Sequence, residues 1–343
     1  MRSGREATDG GRRVVVVGAG HMGHGLAACY AIGGDSVVLV DVDGRALSRA
    51  LRALHRVVDT LADGGDLAPE AAIATAARVT TTTDLAAAVR HAALVQETVD
   101  ERLALKQELF VAIEASAPPD AILGTNTASL RLAEVSARMA APERLVGLHW
   151  FHPPYVVPTV EVVAGEATSP AVVEAAADWL RRIGKEPLLV RDVPGFVVNR
   201  LQTALRNTAL SLVEQGIADP ATIDAAVKYT IGPRLSAFGM FRLYDLIVNM
   251  AFSLHTSEYL FASTGEERYR PSPLMRERVA AGATGLGAGR GWYDYRELDR
   301  AAVEAVRDRV IAATYRAQRE LDSPSILDDA PVLDLASVDE AES

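Results

Sequence analysis

Four consecutive valines, Val14–Val17, lead directly into the glycine-rich segment Gly18–Gly23, which reads GAGHMG. An unbroken β-branched run predicts a strand that is buried on both faces of a parallel sheet. The residues after the glycines predict a helix that ends near Gly33, then a second apolar strand, Ser36–Val40, and then Asp41. Strand, glycine turn, helix, strand and acid in this order constrain the chain to begin as a βαβ unit of a doubly wound sheet.

The glycine segment has the composition that a dinucleotide requires. Gly18 permits the tight turn, Gly20 lets the backbone approach a pyrophosphate, and Gly23 lets the helix pack closely on the strand. The helix N-terminus offers free N–H groups and the positive end of its dipole to phosphates. Asp41 would accept hydrogen bonds from a ribose diol and repel a 2′-phosphate, so we expect NAD as the cofactor. A glycine-rich turn without a ligand is the alternative. The predicted contacts are Gly18, Gly20, His21, Met22, Gly23 and Asp41.

Composition limits the class of protein. The chain has 343 residues, enough for two domains, and 49% of them are hydrophobic, as in a globular protein. Its formal charge of −10 argues against a nucleic-acid partner, which would need a basic face. The single cysteine, Cys29, lies in an apolar helical pattern, so we expect a buried thiol and a cytoplasmic setting. No apolar run approaches the length of a membrane span, so no membrane partner is expected either.

The sequence changes character at Asp192–Gly195, which reads DVPG. Before it, strand-like and helical segments alternate. After it we expect helices alone, among them one that Gly232-Pro233 stops and another over Met240–Leu260. The predicted fold is an α/β Rossmann-type N-terminal domain followed by an all-α C-terminal domain. The predicted boundaries are a disordered N-terminus (1–12), an NAD-binding domain (13–193), a helical substrate and dimerisation domain (194–321) and an acidic disordered tail (322–343).

The stretch Leu145–Val163 carries a candidate acid–base pair. His149 follows a short predicted strand, Leu145–Leu148, and Glu161 lies in a second strand-like run beyond a proline-rich turn. A histidine and a carboxylate on adjacent strand ends can form a base and the group that orients it. A histidine that only satisfies its own hydrogen bonds at a strand end is the alternative.

Two further polar segments are candidates for the same site. Thr125–Ser129, which reads TNTAS, follows a predicted strand. It can cap a helix or present polar groups to a ligand, because sites in such sheets open at strand carboxyl ends. We place Asn126 among the cofactor contacts and Ser129 among the catalytic groups. Asn199, one turn into the first helix after Gly195, is either a solvated amide or a side chain that contacts substrate.

With these residues in place, the chain resembles the NAD-dependent L-3-hydroxyacyl-CoA dehydrogenase family. The motifs VVGAGHMGHGLA, LVDVD, VQETVDERLALKQELF, NTASL, GLHWFHPP…VE and DVPGFVVNR occur in the family's order. The stretches HPPYVVPTVE, GFVVNRLQTAL and GPRLSAFGMF also look like the L-gulonate 3-dehydrogenase (lambda-crystallin) branch. The resemblance implies that His149 is the general base, that Glu161 orients it and that Asn199 contacts substrate. It also implies that Glu101 and Lys106 lie near the nicotinamide, and that the protein is a homodimer in fatty acid metabolism.

The chain departs from the family's pattern at three places. Ala128 stands where the family usually has a serine, and His152 where it often has an asparagine. Arg45–Thr60 carries arginines instead of the family's lysines, and Gly285–Gly289 has no lysine. The expected substrate is a 3-hydroxyacyl thioester, linked to CoA or to a carrier protein. A free hydroxy acid of the gulonate type, with Arg234 or Arg242 as its partner, is the first alternative, and a non-catalytic nucleotide-binding protein is the second.

Overall fold

The computed structural model describes residues 12–321. Eight strands form one sheet in the order β3-β2-β1-β4-β5-β6-β7-β8. Among its neighbouring pairs only β6 and β7 run antiparallel. The strands are β1 (Arg13–Val17), β2 (Ser36–Val40), β3 (Val79–Thr82), β4 (Leu94–Glu97), β5 (Ile122–Thr125), β6 (Leu145–Trp150), β7 (Thr159–Ala164) and β8 (Glu186–Arg191).

Helices cover both faces of this sheet. On one face the core joins Leu26, Leu54 and Trp179, and on the other it joins Phe110 and Leu132. Because both faces are covered, the valines of β1 are at most 5% exposed. Cys29 is buried, as its apolar context predicts. The helices are α1 (Gly23–Ile32), α2 (Gly44–Asp63), α3 (Pro69–Ala77), α4 (Leu85–Val89), α5 (Leu103–Glu114), α6 (Leu132–Val135) and α7 (Pro170–Arg182).

The chain divides into two compact units after Leu205, inside a helix that begins just beyond the linker Asp192–Gly195. In the described part of the second unit, β structure is limited to isolated bridges near Arg290. The α/β and all-α character of the two parts is therefore confirmed. The remaining helices are α8 (Val198–Glu214), α9 (Pro220–Ala226), α10 (Gly232–Leu243), α11 (Met250–Thr264), α12 (Pro273–Ala280) and α13 (Arg300–Leu321).

Two helix predictions for the second unit are wrong. Gly232 and Pro233 begin α10 instead of ending a helix, because a proline is well placed in the first turn. The single helix predicted over Met240–Leu260 is broken at Asn249, whose φ of 70° lies outside the helical region. A π-helical segment, Tyr244–Val248, continues α10 up to this break, and α11 begins directly after it. The Asn249 side chain accepts a hydrogen bond from the amide of Ala251 and so caps α11.

The disordered segments predicted at 1–12 and 322–343 lie outside the described residues, apart from Arg12. The guanidinium of Arg12 lies 5.1 Å from the ring centroid of Trp179, so this residue belongs to the folded unit.

No single helix within residues 12–321 is long and apolar enough to cross a membrane. One pair of helical segments, Pro220–Val248 and Met250–Thr264, is long and apolar enough when the two are taken together, but the pair is bent by 99° at the break between them.

Candidate active site

His149 and Glu161 face each other across β6 and β7. The sequence predicts a strand that ends at Leu148, but β6 continues to Trp150 because its last residues pair with β7. His149 therefore lies within the strand, directly opposite Glu161. The His149 Nδ1 and the Glu161 Oε2 are 2.8 Å apart, and the two residues are 5% and 0% exposed. The rings of Phe151 and Phe196 flank the imidazole, with centroids at 4.7 and 5.6 Å.

The second oxygen of Glu161 is also bound. Its Oε1 accepts hydrogen bonds from the amides of Val197 at 3.0 Å and Val198 at 2.9 Å. The turn before them holds Phe196, buried and with a positive φ of 46°, so a locally strained backbone aims the two amides at the carboxylate. Sequence reasoning missed these amides, because backbone donors leave no trace in residue type.

Hydrogen bonding keeps Glu161 ionised. Burial raises the pKa of Glu161, but the hydrogen bonds from His149 and from the two amides outweigh it, so the pKa lies below its ordinary value. A carboxylate only accepts hydrogen bonds, so Nδ1 of His149 must donate. Nε2 of the neutral imidazole is left as an acceptor, which is the state that a general base needs.

Asn126 connects the carboxyl ends of three strands beside the base. It directly follows β5, and its Oδ1 accepts a hydrogen bond from the amide of Trp150 at 2.8 Å. Its Nδ2 donates to the hydroxyl of Thr98 at 3.3 Å. Both ends of this amide are therefore engaged within the protein. The predicted cofactor contact of Asn126 stays a prediction, and its contact to β6 shows that it also fixes the backbone next to His149.

Glu101 organises the turn at residues 127–129. Its Oε1 accepts hydrogen bonds from the hydroxyls of Thr127 at 2.6 Å and Ser129 at 2.9 Å, and from the amides of Ala128 and Ser129. Burial raises the pKa of Glu101, but these hydrogen bonds and the charge of Lys106 lower it below its ordinary value. Asn199 joins the same turn, since its Nδ2 donates to the carbonyl of Ala128 at 3.1 Å.

Lys106 is 1% exposed and its ammonium is surrounded by protein acceptors. Nζ lies 2.6 Å from Oε1 of Glu97, 3.3 Å from Oε2 of Glu101 and 3.4 Å from the carbonyl of Val99. The other oxygen of Glu97 accepts a hydrogen bond from the hydroxyl of Thr125 at 2.6 Å. Lysine has three donors, and all three face the protein. Sequence reasoning missed Glu97, whose signal is a carboxylate at the end of the apolar strand β4.

The glycine segment has the shape that a dinucleotide needs. Gly18 has φ +109°, and a Cβ at Gly23 would lie 1.9 Å from the carbonyl oxygen of Gly18. Beside Gly20 the space is open. No side chain caps α1 at Met22, and its first turn has no acidic residue, so its amides are free for an anion. Asp41 accepts a hydrogen bond from the amide of Ala19 at 2.8 Å, which fixes it at the loop.

His152, Arg234 and Arg242 lie outside the groups of contacts described above. The ring of His152 stacks on that of His21, with centroids 4.2 Å apart. Arg234 and Arg242, the predicted partners of a free acid, both lie on α10 in the second unit. The guanidinium of Arg242 lies 4.6 Å from the ring centroid of Tyr293. The described contacts thus form two groups of predicted residues, one of His149 with Glu161 and one of Lys106, Ser129 and Asn199 around Glu101.

Comparison with known proteins identifies the family. Residues 13–193 match the family described as 3-hydroxyacyl-CoA dehydrogenase, NAD binding domain, and residues 195–295 match its C-terminal domain. A 5-formyl-3-hydroxy-2-methylpyridine 4-carboxylate 5-dehydrogenase of Mesorhizobium japonicum is 35% identical over 89% of this chain and 97% of its own length. A probable 3-hydroxybutyryl-CoA dehydrogenase of Bacillus subtilis is 34% identical over 83% and 98%.

A solved structure leads to the same family. The 3-hydroxyacyl-CoA dehydrogenase of Archaeoglobus fulgidus superposes with a TM-score of 0.75 at 28% identity, and the match covers 89% of this chain and 98% of that one. The resemblance deduced from the motifs is therefore confirmed, and the glycine segment and Asp41 suit the cofactor of that family. The chain belongs to the 3-hydroxyacyl-CoA dehydrogenase family and is an NAD-dependent oxidoreductase of that type.

Proposed function

We propose that the protein oxidises the secondary alcohol of an L-3-hydroxyacyl thioester to the 3-oxo form, with His149 as the general base. The observation that carries this proposal is the buried His149–Glu161 pair, in which Nδ1 is held by a carboxylate and Nε2 remains free to accept a proton. Support for the substrate class comes from relatives that are named 3-hydroxybutyryl-CoA dehydrogenases and share about a third of their residues with this chain.

The reaction needs a proton acceptor beside the substrate hydroxyl. The glycine segment and Asp41 would hold NAD, which when bound would supply the hydride acceptor for the carbon that carries the hydroxyl. Nε2 of His149 takes the hydroxyl proton as the carbon–oxygen double bond forms, because an alcohol is too weak an acid to lose that proton unaided. Glu161 then stabilises the imidazolium, since its carboxylate lies 2.8 Å from Nδ1. In the reverse direction the same imidazolium returns the proton.

We propose that Asn199 polarises the new carbonyl and that the turn at residues 127–129 holds it in place. One N–H of the Asn199 amide donates to the carbonyl of Ala128, and the amide nitrogen has a second N–H to offer. The hydroxyls of Thr127 and Ser129 each donate their one proton to Glu101, so they fix the turn. Because Ala128 has no hydroxyl, the second N–H of Asn199 is the donor that takes over from the serine that the family usually has there.

The substrate panel tests the proposal. NADH formation should be measured with purified protein against 3-hydroxybutyryl-CoA, the matching carrier-protein thioester, gulonate and carnitine. We expect turnover with at least one thioester and little with the free acids. NAD binding without turnover of any of these would contradict the proposal and favour a non-catalytic protein.

A free acid is the second candidate substrate. The Mesorhizobium relative is named for a pyridine carboxylate and is as similar to this chain as the thioester enzymes are. A free carboxylate is best recognised by a bidentate arginine, and Arg242 stacks on Tyr293 in the second unit. If the wild type turns over a free acid and no thioester, and Arg242→Met abolishes that turnover, the acid is the substrate.

We also propose that the protein is a homodimer. The described part of the second unit leaves large apolar side chains exposed, among them Leu210, Ile217, Phe252 and Tyr259 at 53–68%. Exposed apolar surface commonly marks an interface where such side chains cluster. A second copy of the chain would bury them.

A further inference from the structure

His21 and His152 form a stacked imidazole pair beside the cofactor loop. Their ring centroids are 4.2 Å apart and their planes differ by 24°. His21 belongs to the glycine segment, between Gly20 and the first turn of α1. His152 lies in the loop after β6, three residues beyond His149, where the family often has asparagine. Both side chains are exposed, so neither is held in place by burial in the core.

A third histidine and an arginine complete the cluster. His24 lies one turn further along α1, and its Nδ1 is 3.5 Å from the carbonyl of Gly20. Burial lowers the pKa of His24, the carbonyl of Gly20 raises it, and the charges of His21, His152 and Arg56 lower it further. The two neighbouring imidazoles and the guanidinium therefore disfavour a positive charge on His24.

The charged groups on the surrounding elements leave this cluster without a counter-charge. In the described chain no carboxylate forms an ion pair with any of the three histidines. The carboxylate of Asp41 accepts hydrogen bonds from the amides of Ala19 and Asp43. In the proline-rich loop after His152, the carbonyls of Pro154 and Val157 accept hydrogen bonds from Lys185.

We infer that the His21–His152 pair is a proton-linked site for the diphosphate of the dinucleotide, in which an imidazole takes up a proton as the cofactor binds. His21 lies on the same loop as the free amides of α1, where the phosphates are expected, and His152 reaches this place by stacking on His21. Two phosphate charges there favour imidazolium over imidazole, and histidine is the side chain that changes charge near neutral pH. This inference rests on NAD as the cofactor and concerns its binding, not the oxidation of substrate.

Linkage fixes the direction of the pH effect. A group that binds its proton more tightly in the complex makes NAD bind more tightly at low pH, and the advantage is lost as the pH rises. A change of about one unit in proton affinity corresponds to about a tenfold change in Kd. We therefore expect NAD to bind roughly three- to tenfold more tightly at about pH 6 than at about pH 8.

Calorimetric titration tests the inference without any turnover. NAD binding should be measured near neutral pH in two buffers of different ionisation enthalpy, which gives the number of protons taken up. The wild type should take up a clear fraction of a proton, and His152→Asn, which introduces the family's residue, should lose most of it. His21→Asn should act in the same direction. His91→Asn, at an exposed histidine outside the cluster, should leave the uptake unchanged.

Three results would overturn the inference. The first is NAD binding by the wild type with no proton uptake. The second is undiminished uptake by His152→Asn, which decides the matter even if His21→Asn fails to fold. The third is uptake that accompanies substrate addition and not NAD, which would assign the pair to a substrate carboxylate. Failure of the substrate panel leaves the inference standing, because the titration contains no alcohol substrate.

Discussion

At His149, a single free nitrogen carries the proposed chemistry. Nδ1 is committed to Glu161, so Nε2 is the only basic atom of the ring that can receive the substrate's proton. We expect His149→Ala to lower kcat by about 10²–10⁴-fold, the usual contribution of a general base. NAD affinity should stay within about twofold, since the glycine segment is untouched. Steady-state kinetics with an NAD titration checks both, and a variant with near-normal kcat would remove His149 from the proposed role.

The negative charge of Glu161 contributes to the stability of the fold. Its pKa in the folded state is below the ordinary value, so its contribution is present above the unfolded-state pKa and lost as pH falls through the folded one. Glu161→Gln keeps the shape and removes the charge. We expect it to lower kcat and to flatten the fall of unfolding free energy between about pH 5 and pH 3. Urea unfolding across that range is the measurement, and identical pH profiles for both proteins would contradict it.

Residue types predicted several members of the site and the pairing of His149 with Glu161, but not the other partners of these residues. His149, Glu161 and Asn199 stand out because few polar side chains occur in those motifs. Glu97 did not stand out, although it binds Lys106 and Thr125. Its role depends on the parallel register of β4 and β5, which places Glu97 opposite Thr125. Register is a property of the assembled sheet, so it cannot be deduced from the residues of one strand.

At the scale of elements, a buried network connects β4, β5 and α5. Lys106 on α5 lies between the carboxylates of Glu97 and Glu101, and Glu101 holds the turn after β5. The contacts favour a positioning role for Lys106, because its donors are used by the protein. The ends of β4 and β5 are thereby held at fixed positions around the site.

Replacing Lys106 separates positioning from cofactor contact. Lys106→Met leaves the buried Glu97 without its cation, which typically costs about 3–5 kcal/mol of unfolding free energy. The double variant Lys106→Met/Glu97→Gln should recover part of that loss, because no buried charge is left unpaired. Chemical denaturation of the three proteins measures it. A stable single variant whose only defect is weak NAD binding would instead assign Lys106 to the cofactor.

The break at Asn249 shows what periodicity cannot reveal. Apolar residues continue from α10 into α11, so a pattern of side chains predicts one helix. Within Met240–Leu260 the backbone leaves the helix at Asn249, which has a positive φ, and the side-chain pattern does not record it. Strand positions were predicted better, within about two residues, because turns and glycines mark their ends.

Asn249 itself can be tested. Asn249→Ala removes the cap of α11 and puts a less suitable residue at positive φ, so we expect a loss of about 1–3 kcal/mol. Asn249→Gly keeps the backbone freedom and loses only the cap, so its loss should be smaller. Thermal unfolding ranks the two variants, and an alanine variant as stable as the glycine one would show that the backbone is relaxed there.

At the scale of the whole molecule, the order of an α/β part and a helical part was predictable, whereas the substrate was not. Fold class follows from apolar periods and glycine positions along the chain. Substrate choice depends on a few side chains, such as His152 and Ala128, whose partners come from distant segments. The same family includes relatives named for a CoA thioester and for a pyridine carboxylate, so the fold does not decide between them.

The proposed homodimer gives a prediction at this scale. Light scattering should report twice the chain mass of 36.5 kDa. Ile217→Lys and Phe252→Lys place charges in exposed apolar positions of the second unit and should shift the protein toward the monomer. Ile73→Lys, at a 76% exposed position on α3 in the first unit, is the matched control. A wild type that remains a monomer at high concentration would contradict the proposed dimer.

The two backbone amides that bind Glu161 bear on how this protein could be recombined with its relatives. Val197 and Val198 stand at the start of α8, yet their hydrogen bonds belong to the sheet of the first unit. Asn199 likewise binds Ala128. A chimera joined at the DVPG linker would separate the carboxylate from the segment that evolved with it. A crossover placed after Asn199 keeps the base, its orienting group and these amides in one parental piece, and is the better place to exchange helical units.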